Sequence, residues 1–252
     1  MIWGRNTELG FLSGFAEKQK SQVVVLYGVH GVGKTELIRE FTRTKRTAYF
    51  ACRDCSDREQ RYQWGTELNT FSTGAQVYPS YLELLTASCQ DAEVLVLDEF
   101  RYLIESGQDF LPQLRMYLQQ RDRTLLVLLL SASVSWVENQ MVRQMQENAL
   151  LLSGMLKIRP LDYATVCKAF PGYQAMDQAV LYGILGGVPA YWQQMDPGRT
   201  LEDNLCRFLI SQNAPGRFCC QMILREELRE LNVYQTLLGT LASGKHKLND
   251  LY

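Results

Sequence analysis

Residues 28–35 match the phosphate-binding pattern G-x-x-x-x-G-K-[ST] at every position. In this pattern, the glycines let the backbone turn tightly, so that successive N–H groups surround a phosphate. The lysine carries positive charge to the β- and γ-phosphates, and the threonine hydroxyl can bind Mg²⁺. The pattern therefore predicts a site for a nucleoside triphosphate, and a chance glycine-rich turn is the alternative. The residues concerned are Gly28, Val29, His30, Gly31, Val32, Gly33, Lys34 and Thr35.

The residues on either side of this loop are of the type that such a site needs. The run Gln22–Tyr27 is apolar and rich in β-branched residues, as is typical of a buried parallel strand. Residues 36–41 have helical spacing, so bound phosphates would lie at the N-terminus of a helix. We therefore count Glu36, which directly follows the pattern, among the nucleotide-binding candidates.

A pair of carboxylates, Asp98 and Glu99, follows a second apolar run at residues 93–97. Ligands of open α/β sheets bind at the carboxyl ends of the strands. Asp98 there could hold Mg²⁺ opposite Thr35, and Glu99 could polarise the water that attacks the γ-phosphate. The added glutamate favours an ATPase over a small-molecule kinase, and the alternative is an ordinary acidic strand end.

Two serines end the next apolar run, Leu125–Leu130. A polar side chain at this place in an ATPase can donate to the γ-phosphate or to the attacking water. We name Ser133 as a catalytic candidate beside Lys34 and Glu99. Since small polar residues end many strands, a purely structural role for Ser131 and Ser133 stays equally open.

Strands alternate with helices in the first part of the chain, which predicts a parallel sheet with helices on both faces, a three-layer α/β fold. After Arg159-Pro160 the pattern indicates amphipathic helices only, so we place a domain boundary near residue 160. The stretch 52–85 is predicted to be helical in pieces, broken at Gly74 and Pro79. The predicted strands are residues 22–27, 46–51, 93–97, 125–130 and 155–158.

The amino-acid composition argues against several classes of function. The net charge of the 252 residues is −1, which argues against a generally basic surface for nucleic acid. The longest apolar run is too short to span a bilayer and no signal peptide is visible, so we expect a cytoplasmic protein without a membrane partner. The seven cysteines are interpreted as small buried hydrophobes. Half of a zinc site or a redox pair at Cys52 and Cys55 is the alternative.

Taken together, these motifs make the chain similar to the archaeal and bacterial ATPases of the STAND class, which are relatives of the AAA+ proteins. The resemblance extends over essentially the whole chain, in the order that the family has. The segments that carry it are residues 2–9, 27–38, 59–60, 96–100, 130–133, 159–163 and 185–191.

The resemblance implies a sheet order of 5-1-4-3-2 and ATP or ADP with Mg²⁺ as ligands. It implies an ATPase core at residues 1–159, a helical lid at 160–224 and the start of a winged helix at 225–252. Gly4 and Arg5 would lie by the adenine. Pro189 and the glycines before it would sense the bound nucleotide, although a simple break between two helices is the alternative for that turn.

The chain departs from the family at two places. Family members usually carry a Gly-Arg pair before the fifth strand, whose arginine reaches the γ-phosphate, and here that position falls on Leu150-Leu151. The departure predicts slow hydrolysis or an arginine from elsewhere. The recognition helix and wing of the winged helix are missing, which argues against DNA binding by this chain alone.

The function expected from the sequence is Mg²⁺-dependent ATP hydrolysis coupled to a change of angle between core and lid. Such a switch would report its state to a protein partner or through self-association. Two alternatives remain: a nucleotide-binding scaffold with negligible hydrolysis, and a DNA-associated regulator that lacks its recognition helix.

Overall fold

The structure is a computed structural model that describes residues 3–68, 78–107, 109–228 and 230–245. The described residues form one five-stranded parallel sheet with the order β2-β3-β4-β1-β5. This order is the predicted one read from the opposite edge, and the prediction is confirmed. The strands are β1 (Gln22–Tyr27), β2 (Thr47–Ala51), β3 (Val94–Asp98), β4 (Leu126–Ser131) and β5 (Leu152–Lys157).

Helices lie in the connections between the strands. After β5, all regular elements of the described chain are helices. The helices are α1 (Asn6–Ala16), α2 (Lys34–Thr42), α3 (Asp57–Leu68), α4 (Tyr81–Cys89), α5 (Arg101–Ser106), α6 (Phe110–Gln120), α7 (Val134–Trp136), α8 (Val142–Met145), α9 (Tyr163–Ala169), α10 (Ala175–Leu185), α11 (Pro189–Trp192), α12 (Leu201–Leu205), α13 (Pro215–Glu227) and α14 (Leu231–Ala242). A π-helical turn, Val137–Met141, joins α7 to α8, and another, Cys206–Ile210, follows α12.

Two apolar layers hold the helices against the sheet, because successive side chains of a strand point to opposite faces. On one face, residues such as Val24, Val96 and Leu128 pack with α1 and α2. On the other face, Val25 and Leu97 belong to a larger cluster that includes side chains of α4 and α6. This arrangement confirms the three-layer α/β fold.

The fifth strand begins three residues before the prediction, at Leu152 instead of residue 155. Ser153 and Gly154 break the apolar pattern, because only β1 flanks this edge strand and half of its side chains are exposed. The Ser153 hydroxyl accepts a hydrogen bond from the Val23 N–H at 3.2 Å, where the register between β1 and β5 shifts. The first residues of β5 are therefore set by pairing with β1.

The segment between β2 and β3 is helical in two pieces, as predicted, and α4 begins directly after Pro79-Ser80. The hydroxyl of Ser80 accepts a hydrogen bond from the Glu83 N–H at 3.2 Å, which satisfies one donor of the first turn of α4. The other predicted break, Gly74, lies outside the described residues.

By the density of internal contacts, the chain divides into two compact units, Met1–Trp192 and Gln193–Tyr252. The first unit contains the sheet together with α9, α10 and α11, and the second contains α12 to α14. The boundaries at residues 160 and 225, which rest on composition and on the family resemblance, stay predictions. Within the described ranges, no helix combines the length and the apolar character needed to cross a membrane.

A leucine in β4 and an exposed leucine before β5 provide a test of this packing. Leu128 is 0% exposed in the middle of the sheet, whereas Leu150 is 89% exposed. We expect Leu128→Ala to lower the free energy of unfolding by about 2–5 kcal/mol, because the substitution leaves a cavity between the sheet and α2. Leu150→Ala should change it by less than about 0.5 kcal/mol. Urea denaturation followed by circular dichroism measures both, and equal effects would contradict the central position of β4.

Candidate nucleotide-binding site

The phosphate-loop pattern forms the turn between β1 and α2, as predicted. Gly31 and Gly33 have φ angles of +78° and +97°, in the left-handed region that side chains with a Cβ rarely adopt. The N–H of Gly28 donates to the carbonyl of Ser131 at 3.2 Å, which ties the start of the loop to the end of β4. The loop thus leads directly into the N-terminus of α2.

Lys34 lies inside this loop. Its side chain is folded back so that Nζ donates to the carbonyl of Gly28 at 2.7 Å and to that of Val29 at 3.4 Å. The residue is only 7% exposed. The ammonium group is therefore already placed within the turn, where phosphate oxygens could replace or join these carbonyls as acceptors.

Arg5 supports the loop from the side of α1. Its guanidinium is buried, donates to the carbonyl of Val32 at 2.9 Å and forms an ion pair with Glu8 at 2.8 Å. A Cβ added to the neighbouring Gly4 would lie 3.6 Å from the hydroxyl oxygen of Thr165 on α9. These contacts give Arg5 a role in holding the loop, and the adenine contact of Gly4 and Arg5 stays a prediction.

The first turn of α11 and the preceding Val188 lie against the phosphate loop. The N–H of Ala190 donates to the carbonyl of Gly31 at 3.2 Å. A Cβ added to Gly31 would come within 2.8 Å of the Cβ of Ala190 and 3.2 Å of a methyl carbon of Val188. Pro189, the predicted sensor, is thus the neighbour of a residue that contacts the loop, and its contact with nucleotide stays a prediction.

Asp98 ends β3 and faces Thr35 across the carboxyl edge of the sheet. The hydroxyl of Thr35 lies 3.4 Å from Oδ2 of Asp98, and the Glu99 N–H donates to Oδ1 at 3.1 Å. A carboxylate and a hydroxyl are hard oxygen donors of the kind that Mg²⁺ prefers. This donor set fits the predicted metal, which Thr35 and Asp98 would hold. Glu36, next to Thr35, is exposed and paired with Arg39.

Glu99 adopts a left-handed backbone conformation with φ +52°. Such a conformation is costly for a residue with a side chain and is typical of functional sites. It turns the carboxylate toward the end of β4, where Oε2 accepts the Ala132 N–H at 3.1 Å. Glu99 and Ser133 therefore lie close together, as the prediction of a shared site requires.

Ser131 and Ser133 are both buried. The hydroxyl of Ser131 accepts the N–H of Ser133 at 3.2 Å, so it shapes the end of β4. The hydroxyl of Ser133 accepts a hydrogen bond from the Arg101 guanidinium at 3.2 Å. The catalytic role of Ser133 stays a prediction. The structure places the positively charged guanidinium of Arg101 beside its hydroxyl.

Sequence reasoning missed two residues of this site, Tyr49 and Arg101. The hydroxyl of Tyr49 donates to Oδ2 of Asp98 at 2.6 Å. Burial, followed by the hydrogen bond and the charge of Asp98, raises the pKa of Tyr49 well above its ordinary value, so the hydroxyl keeps its proton. The predicted order places β2 beside β3, so a polar side chain near the end of β2 was the available signal. For Arg101, the available signal was its position in the sequence, two residues after Glu99.

Cys52 follows β2 at the same edge, and its N–H donates to the carbonyl of Asp98 at 2.9 Å. Burial, reinforced by the charges of Asp98 and Glu99, raises the pKa of its thiol well above the ordinary range. The thiol is therefore protonated and poorly suited to metal binding. Among the described residues, no three His, Cys, Asp or Glu side chains form a metal-binding group.

The position at which the resemblance predicts an arginine, Leu150-Leu151, lies far from the phosphate loop. Leu151 directly precedes β5, whose first residue Leu152 pairs with Val23 at the start of β1. This is the amino edge of the sheet, roughly 15 Å along the strand from the phosphate loop at about 3.3 Å per residue. An arginine at residue 150 or 151 would therefore not reach a phosphate on the loop of the same chain. Leu151 therefore gives no information about the rate of hydrolysis, and slow hydrolysis stays a prediction.

Comparison with known proteins agrees with this geometry. No protein-family model matches the chain. A solved Walker-type ATPase of Pyrococcus abyssi superposes with a TM-score of 0.65 at 16% sequence identity, covering 99% of this chain and 82% of that protein. The chain has the fold of a P-loop ATPase.

Two further solved structures share this fold. The ORC2 protein of Aeropyrum pernix, solved as ADPNP and ADP complexes, gives a TM-score of 0.60 at 12% identity, covering 99% of this chain and 78% of that one. The ORC1 protein of the same organism, solved in complex with DNA, gives 0.56 at 16% identity, with 100% and 76% covered.

One curated protein is similar in sequence, an uncharacterised protein of Methanocaldococcus jannaschii. It is 20% identical over 262 residues, which cover 100% of this chain and 56% of the relative. The chain thus spans about half the length of that relative.

The close approach of Gly31 and Ala190 can be tested. We expect Gly31→Ala to destabilise the protein by about 1–2 kcal/mol, because the new methyl group meets a left-handed backbone and Ala190. Gly10→Ala is the matched control, since a Cβ at Gly10 on α1 has open space around it. That control should be neutral or stabilise by up to about 1 kcal/mol. Thermal unfolding of both variants checks the difference, and equal stabilities would argue against the contact.

Proposed function

We propose that this protein is a STAND-type ATPase that binds ATP with Mg²⁺ at the carboxyl edge of the sheet and hydrolyses its β–γ phosphoanhydride. One observation carries the proposal: two separate segments of the chain, Lys34-Thr35 at the start of α2 and Asp98-Glu99 at the end of β3, meet at one edge of the sheet. The fold shared with the Walker-type ATPase of Pyrococcus abyssi supports it.

The ground-state complex follows from the donors present. The loop backbone around Gly31 and Gly33 and the ammonium of Lys34 would hold the phosphates. Thr35 and Asp98 would hold Mg²⁺, which neutralises phosphate charge when bound. Lys34 and Thr35 already lie in the loop or at the start of α2, and Asp98 faces Thr35 from the end of β3.

Hydrolysis requires a base beside the γ-phosphate. In the proposed step, the oxygen of a water forms a bond to the γ-phosphorus while the bond to the β–γ bridging oxygen breaks. The proton of the water passes to Glu99, and ADP leaves with the bridging oxygen. The Ala132 N–H donates to Oε2 of Glu99 at 3.1 Å, which holds this carboxylate at the end of β4.

Ser133 and Arg101 would act on the transferred phosphoryl group. Ser133 lies at the end of β4, next to the strand that carries the phosphate loop. Arg101, which also forms an ion pair with Glu105 at 2.9 Å, donates to its hydroxyl, so a guanidinium group lies at this point without a contribution from residue 151. Developing charge on the γ-phosphate could be stabilised by this pair.

Coupling to the rest of the chain would begin at the Ala190–Gly31 hydrogen bond. Because this bond joins the phosphate loop to the start of α11, nucleotide in the loop would change the surroundings of that helix. We propose that the helices after β5 respond as the lid of a switch. The receiver would be a protein partner or a second copy in the cytoplasm, with DNA binding not required.

Substitutions of the two central residues test the proposal. We expect Lys34→Ala to weaken ATP binding at least tenfold, because the charge inside the loop is lost. Glu99→Gln should keep ATP affinity and lower phosphate release about 100-fold or more, as expected for loss of a general base. Binding of a fluorescent ATP analogue and steady-state phosphate release measure the two effects.

Glu147→Gln is the matched control. This glutamate is exposed and lies just before β5, whose first residue pairs with the start of β1 at the amino edge of the sheet, opposite the loop. Wild-type affinity in the Lys34→Ala variant would overturn the assignment of the nucleotide site. Tight binding with negligible turnover in both the wild type and Glu99→Gln would favour the scaffold alternative over the ATPase.

A further inference from the structure

Tyr49 belongs to neither nucleotide motif, yet it makes the shortest contact to the predicted metal carboxylate that the structure shows. It lies on β2, at the edge of the sheet, with its hydroxyl 2.6 Å from Oδ2 of Asp98. About half of the residue is exposed, so burial of the ring does not explain why a tyrosine points toward this carboxylate. We therefore look for a role of the Tyr49 hydroxyl in the function of Asp98.

The strand register explains how the side chain reaches Asp98. Ala51 is paired with Asp98, and Tyr49 precedes it by two residues on the same face of β2. A side chain of tyrosine length, leaning along the strand, covers the remaining distance. A serine or threonine at position 49 would be too short to make the same hydrogen bond.

Asp98 is restrained through both of its carboxylate oxygens. The Glu99 N–H donates to Oδ1 at 3.1 Å, and Tyr49 donates to Oδ2. The hydroxyl of Thr35, at 3.4 Å from the same Oδ2, is the weaker neighbour. Without Tyr49, the carboxylate would keep one firm hydrogen bond and could rotate about it.

A hydrogen bond from an outer residue is the usual means of fixing the orientation of a metal-binding carboxylate. The two oxygens of a carboxylate offer about four acceptor positions. Oδ2 can therefore accept the hydrogen bond from the Tyr49 hydroxyl and still face an ion or its bound water on the side of Thr35. The two contacts are compatible.

We propose that Tyr49 is a positioning residue for Mg²⁺, which sets the orientation of Asp98 before the metal–nucleotide complex arrives. The proposal rests on the proposed function, since it assumes that Asp98 serves the metal of a bound nucleotide. Tyr49 acts through Asp98 and does not itself take part in the chemical step.

The test is the Mg²⁺ dependence of nucleotide binding by the full chain, measured with a fluorescent ATP analogue in EDTA and across a Mg²⁺ titration. In Tyr49→Phe, the affinity in EDTA should stay within about twofold of the wild type. The Mg²⁺ concentration at half-maximal enhancement should rise about tenfold, at the lower end of the usual effect of losing an outer hydrogen bond to a metal ligand. Circular dichroism confirms that the variant is folded.

Two controls separate positioning from a general structural effect. Tyr62→Phe removes a hydroxyl from an exposed tyrosine on α3 and should leave the titration unchanged. Asp98→Asn should remove most of the Mg²⁺ effect. Adding Tyr49→Phe to Asp98→Asn should then cause no further change, because both substitutions act through the same carboxylate.

The outcomes distinguish the two levels of the proposal. If the wild type shows Mg²⁺-dependent binding and Tyr49→Phe matches it, the positioning role is overturned and the proposed nucleotide site stands. A lower Mg²⁺ midpoint in Tyr49→Phe would also overturn it, since the hydroxyl would then compete with the metal. Absence of nucleotide binding or of a Mg²⁺ effect in the wild type would overturn the proposed function and the role of Tyr49 together.

Discussion

The hydrogen-bonded register between β1 and β4 is the constraint on which the site depends. Tyr27 pairs with Ser131, and the next N–H, that of Gly28, continues the ladder to the Ser131 carbonyl. A slip of one residue would move the loop by about 3.3 Å and turn every side chain of β1 to the other face. Close packing on both faces of β1 opposes such a slip, because each side chain would have to fit a space that another side chain now fills. Packing in the core thereby fixes the distances within the polar site.

Much of the fold could be predicted because its signals are local. Buried parallel strands appear as short apolar runs, and four of the five predicted strands agree with the structure to within a residue at each end. β5 was the exception, since its first residues are selected by pairing with β1 and carry no apolar pattern of their own. The sheet order came from the family resemblance, because strand runs alone do not specify which strands are neighbours.

The site shows the same division between local and tertiary information. The phosphate loop and the Asp98-Glu99 pair are contiguous motifs, so the sequence locates them directly. Tyr49 and Arg101 join the site only through strand adjacency and through a turn after β3. Leu151 illustrates the reverse case, in which a motif position expected near the phosphate lies at the opposite edge of the sheet. Assigning a role from a motif therefore also requires knowing at which end of its strand the motif lies.

The contact between Gly31 and Ala190 limits which amino acids can replace these two residues during evolution. The space between the phosphate loop and the start of α11 holds the methyl group of Ala190 and no second one. Residues 31 and 190 are therefore not independent, although far apart in the chain. Among homologues, we expect the two positions to covary in size, with a larger residue at position 190 found only where the loop has moved away.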